Sequence, residues 1–176
     1  MISEELKAIV DKFKEQGKMY FLEETTEDKI SVFEEEKGIT LPSKYKEWLL
    51  FSDGGELFLP AGVQFYGIEH KPLIDVDDNS RPSEDYVVIG ALASGDPILY
   101  KKGSEKIAIY NQTAGRIEDD EIYDDFIAFL KDLYDLLGMS GLYRWQDFWS
   151  LIISMFIHQD QICFLEEKRL CKHLGV

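Results

Sequence analysis

The chain has 176 residues, 45% hydrophobic and 30% charged, the make-up of one folded domain, which at this length buries roughly 70% of the surface its unfolded chain exposes. Asp and Glu outnumber Lys and Arg by 34 to 19, a formal charge of −15, which opposes contact with nucleic acid or anionic lipid and favours a cationic protein partner. The two cysteines, Cys163 and Cys171, could close only a short loop, so the disulfide framework of a small secreted domain is not expected.

The first residues, Met1-Ile2-Ser3-Glu4-Glu5-Leu6, lack the basic-then-apolar layout of a signal peptide, and a reducing, cytoplasmic setting is expected. Leu6, Ile9, Val10 and Phe13 share one face of a helix over 3–16, with Ser3 as its cap and Gly17 as its stop. After the short apolar stretch 19–22, Thr25 or Thr26 caps a second helix with Glu27 and Asp28 in its first turn and Ile30 and Phe33 turned inward. Gly38 suits the left-handed residue that ends it, with Ile39 folding back on the last turn. Leu41-Pro42-Ser43 opens a third helix that carries Tyr45, Trp48, Leu49 and Ser52 at helical spacing, and Asp53-Gly54-Gly55 stops it.

From Glu56 to Ile117 the period becomes extended. Strands are expected over 57–59, 63–66, 86–89, 97–100 and 107–110, separated by turns at Ala61-Gly62, Ser94-Gly95-Asp96, Lys102-Gly103-Ser104 and Thr113-Ala114-Gly115. No helix-length segment lies between the later strands, so the sheet is antiparallel and meander-like. The stretch 70–85, rich in Asp, Asn, Ser and Pro, reads as an exposed loop. Ile122, Phe126, Phe129, Leu130, Leu133 and Leu137 place a helix over 122–137, with Glu118, Asp119, Asp120 and Glu121 at its positive end. The expected fold is α+β: an antiparallel meander-like sheet with helices packed on one face over 1–138, plus a helical C-terminal extension over 139–176. The apolar run 148–157 is far too short to span a membrane, which takes ~20 residues. The stripe Leu142, Trp145, Phe148, Trp149, Ile152 and Phe156 is expected to pack on the domain or on a second copy as a homodimer.

No catalytic constellation is legible. His70 lies in the loop and His158 and His173 near the end of the chain, while Ser94 lacks the strand-to-helix frame of a nucleophile elbow and reads as a turn residue. His158, Cys163, Cys171 and His173 are zinc-ligand types at poor spacing, so no metal or other cofactor is expected. Two acidic clusters are the candidate partner surface: Asp75, Asp77, Asp78, Glu84 and Asp85 in the loop, and Glu118, Asp119, Asp120, Glu121, Asp124 and Asp125 at the helix start. Phe33, Trp48, Phe126 and Phe129 sit at core spacing, whereas Tyr66, Tyr86, Tyr100 and Tyr110 would be interface anchors if one face of the sheet is open.

The run from Gly38 through Leu41-Pro42-x-x-Tyr45-x-x-Trp48-Leu49 to Asp53-Gly54-Gly55 resembles the core signature of the SUKH superfamily of Smi/Knr-like domains. The strands over 87–90 and 97–100, joined by a turn containing Gly95-Asp96, and the Phe126-x-x-Phe129-Leu130 helix are similar to its later elements. The residue before the glycine pair, commonly Asn in that family, is Asp53 here, and the segment from Leu142 onward has no counterpart in the signature. The resemblance implies a non-enzymatic immunity protein that binds and neutralises a toxin, often a nuclease, with a regulatory or scaffolding adaptor as the alternative; the acidic balance of the chain points to a basic toxin domain as its partner.

Overall fold

A computed structural model describes residues 2–60, 62–70 and 73–137. The tail stripe, the zinc-ligand types and the expected extension lie outside them. Helix α1 (Glu4–Gln16) is followed by strand β1 (Lys18–Phe21), helices α2 (Glu27–Lys37) and α3 (Ser43–Leu49), and strands β2 (Gly55–Leu59), β3 (Val63–Phe65), β4 (Tyr86–Leu92), β5 (Pro97–Lys101) and β6 (Ile107–Ile109). A single 3-10 turn (Asp119–Glu121) then leads to β7 (Ile122–Tyr123) and helix α4 (Phe126–Leu136). The seven strands pair antiparallel in chain order, β1 to β7, with α2 and α3 inserted between β1 and β2.

The helix ends follow from their capping residues. The Ser3 side chain accepts from the N–H of Leu6 and that of Thr26 from Lys29, which satisfies donors that a helix start otherwise leaves orphaned. Gly38 adopts φ 63° and closes α2, with the Ile39 N–H returned to the carbonyl of Glu34, the doubled C-terminal bond pattern that a left-handed residue permits. α3 starts at Ser43 without a side-chain cap. Its first N–H and the Ser43 hydroxyl both donate to Glu105, from the turn between β5 and β6.

The core lies between one face of the sheet and the helices. On the sheet side Val87, Tyr100, Ile107 and Tyr123 form a row of cross-strand partners. On the helix side it takes Leu6, Val10 and Phe13 from α1, Tyr45, Trp48 and Leu49 from α3, and five residues of α4. Trp48, fully buried, meets Phe51, Phe65 and Phe126 edge-to-face. α2 buries only Ile30.

One stretch gains an element and two expectations need correction. The apolar stretch 19–22, left without an element by its sequence, largely coincides with the edge strand β1 (Lys18–Phe21), paired with residues of β2 that lie 34 to 41 positions further along the chain; four residues are too few for periodicity to declare it. The acids Glu118 to Glu121 do not sit at a helix start, because the 3-10 turn and β7 precede α4 and it is Asp125 whose carboxylate accepts the N–H of Ala128 as cap. Ile122, four positions from Phe126, mimics helical spacing but is 43% exposed on a strand. Tyr100 is not available as an anchor: it is fully buried on the core face, while Tyr66, Tyr86 and Tyr110 are half-buried.

Candidate functional site

The signature segment folds into a tightly bonded corner. After α3 the chain turns back on itself, with Ser52 N–H bonded to the carbonyl of Trp48 and its hydroxyl bonded to Gly54 O (2.6 Å) and to the N–H of Leu22 (2.9 Å). The Asp53 carboxylate is fully buried. It accepts three consecutive backbone N–H groups, those of Ile68, Glu69 and His70, at 2.7, 2.8 and 2.8 Å, and His70 Nδ1 lies 3.1 Å from the same carboxylate. A carboxylate that accepts several amide bonds is satisfied without leaving the interior. Tyr45 completes the corner by donating its hydroxyl to the carbonyl of Tyr66 and being close to that of Ile89.

Close backbone packing requires Gly67 at this point: a β-carbon there would stand 2.0 Å from the carbonyl oxygen of Asp53. The glycine pair after Asp53 is likewise conformational, with Gly54 at φ 99° and Gly55 at φ 130°. The signature therefore acts at a distance. Residues 53–55 fix where the loop after β3 leaves the sheet, and with it the first acidic cluster. No local sequence feature announced this linkage, because the partners are 15 to 17 positions apart and three of the donors are main chain.

That loop is tied down at both ends of its acidic half. Gly67 bridges Leu73, and Asp75 bridges Val88 of β4. Asp75 accepts from the N–H of Asp77, Asp78 accepts from Ser80, and Arg81 donates to the carbonyl of Tyr86. Asp75, Asp77, Glu84 and Asp85 are exposed and Asp78 half-buried. The Tyr66 hydroxyl is held above its ordinary pKa by burial and by the charges of Asp78 and Asp75.

The second cluster borders β7. Asp119, Asp120 and Asp124 are exposed, Glu118 pairs with Arg116 at 2.8 Å, and Asp125 is committed to its helix. Burial, then the charges of Asp120, Glu118 and Asp96, push the Glu121 carboxyl up, and its Oε2 is buried with no hydrogen-bond partner.

The two clusters are joined by one row of the sheet. On the face opposite the helices, Asp75 pairs with Val88, Val88 with Leu99, Leu99 with Ala108 and Ala108 with Ile122. Four inter-strand steps separate the ends, roughly 19 Å. Val88, Leu99 and Ala108 are buried outside the main core cluster, so the row meets solvent at its two ends, at Asp75 and at Ile122, which follows Glu121 of the second cluster.

The residues with catalytic potential have structural partners. The Ser94 hydroxyl donates to Asp96, whose other oxygen accepts from the N–H of Gln112, with Gly95 at φ 93° between them; this is a turn held to a neighbouring turn. Among the described residues no group of three or more His, Cys, Asp or Glu is placed to hold a metal ion. No helix among them is long and apolar enough to cross a membrane.

The sequence model of the SMI1 / KNR4 family (SUKH-1) matches residues 24–132, which takes in the signature corner, both acidic clusters and most of the sheet. The chain is also similar to the uncharacterized protein YnaB of Bacillus subtilis (strain 168), 26% identical over 133 residues that span 75% of this chain and 90% of YnaB. With a match over well more than half its length, the chain belongs to the SMI1 / KNR4 family (SUKH-1).

Proposed function

We propose that this chain is a non-enzymatic binding protein of the immunity type, which neutralises a toxin by covering a basic surface on it. The observation that supports the reading is the pair of acidic banks, Asp75 to Asp85 and Glu118 to Asp124, linked by a sheet row that starts at Asp75 and ends at Ile122, between Glu121 and Asp124 in the chain. A nuclease must offer a basic cleft to phosphate, and an acidic protein with a charge of −15 is drawn into such a cleft at rates that raise capture before a substrate arrives. The polar side chains described above are used in turns, caps and the buried corner, which fits a scaffold that presents a surface.

Co-expression tests this directly. Where a toxin domain is encoded beside this chain, expressing the pair should restore growth that the toxin alone abolishes, and the two should co-purify. Co-purification without rescue would favour an adaptor, and rescue without any complex would contradict the reading.

A further inference from the structure

α2 buries one residue and turns an unusual stripe outward. Asp28, Val32 and Glu36 follow at intervals of four and so share one side of the helix. Val32 is 54% exposed. With half-buried Phe33 and with Ile68 from the loop after β3, it lines a groove of about 290 Å³ whose remaining walls are Asp28, Lys29, Glu36 and Glu69. Lys29 is already matched, bonded to Glu69 at 2.8 Å, which raises the lysine pKa and lowers that of the carboxyl. Among the described residues Asp28 and Glu36 form no salt bridge. An apolar floor is thus rimmed by unmatched negative charge.

One wall of the groove belongs to the loop that carries the first acidic bank. Ile68 donates its N–H to Asp53, and the bridge from Gly67 to Leu73 brings Leu73, 42% exposed, beside it at the start of the segment that carries Asp75. We infer that this groove seats one aromatic or long aliphatic side chain carried between lysines or arginines of the basic protein partner. The inference rests on the partner reading proposed above. It gives that reading what the acidic banks lack, a desolvated anchor that sets residence time, while the rim charges set the rate of encounter.

The test uses the full chain, labelled with nitrogen-15, and two synthetic peptides of equal length and charge: one in which phenylalanines are spaced between lysines, and one in which they are replaced by serine. The phenylalanine peptide should produce saturable amide shifts concentrated at residues 28–36 and 68–69. Val32→Arg should weaken it by at least about fivefold, the loss expected for an interface anchor, and Val32→Leu should retain binding. Both variants should keep the thermal midpoint, since the side chain is exposed. Equal shifts from the serine peptide at the groove would overturn the anchor. Shifts confined to 75–85 and 118–125 would overturn the groove and leave the basic-partner reading standing. No saturable shift from either peptide would count against both.

Discussion

Asp53 illustrates how one side chain can set the position of a surface it never reaches. Its carboxylate holds three amides of the loop after β3 from a fully buried site, so Asp53→Ala leaves three donors without their acceptor, that of Ile68 in the interior and those of Glu69 and His70 partly buried. The expected cost is about 2 to 4 kcal/mol, read by urea unfolding, with amide exchange rising first across 66–75. Trp48→Ala removes the centre of an edge-to-face aromatic cluster, and a loss of about 3 to 5 kcal/mol is expected from the cavity. Glu121 works in the opposite direction. Its carboxyl titrates above the ordinary glutamate value through burial and the neighbouring acids, so the folded state binds that proton more tightly than the unfolded chain. The ionised side chain therefore lowers stability near neutral pH, and the penalty fades as pH falls through the folded value towards about 4.3. Glu121→Gln should raise the thermal midpoint at pH 7 by something on the order of 1 °C, and the gain should shrink at about pH 4.

At the scale of elements, local chemistry was legible wherever a single residue decides the outcome. Ser3, Thr26, Gly17 and Gly38 bound the first two helices at the expected places because capping depends on one side chain or one φ angle. Pairing that depends on distant chain was not legible. β1 gains its identity only from β2, and the acids before α4 fall in a 3-10 turn and beside a two-residue strand because Ala108 and Ile107 are there to pair with Ile122 and Tyr123. Within this region the capping role moves to Asp125, which bonds the N–H of Ala128 at 2.7 Å. Asp125→Ala should cost about 1 kcal/mol by chemical unfolding, whereas Asp124→Ala, on an exposed neighbour, should be close to neutral. The half-buried groove beside α2 was hidden for a related reason: Val32 looks like an ordinary helix residue until Ile68 arrives from 36 positions away.

For the molecule as a whole, sequence and fold point the same way on charge and differ on where apolar contact is made. The run from Gly38 to Gly55 marked three helix ends in 18 residues, and the meander was legible from the strand candidates and turns that follow it. The proposed contact surface was legible only as acidic clusters; the ladder that runs from Asp75 to Ile122, and the burial of Tyr100 that removes it as an anchor, are products of register. If the chain captures a basic toxin domain through exposed carboxylates, encounter must weaken with ionic strength, since free charges are screened over about 8 Å at physiological salt. The decisive measurement, where a toxin domain is encoded beside this chain, is the association rate of the full chain with that domain, followed by stopped flow from low to physiological salt. The account predicts a rate that falls steeply with salt and falls again when Asp75, Asp77, Glu84, Asp85, Asp119, Asp120 and Asp124 are neutralised together; a rate indifferent to both would contradict it.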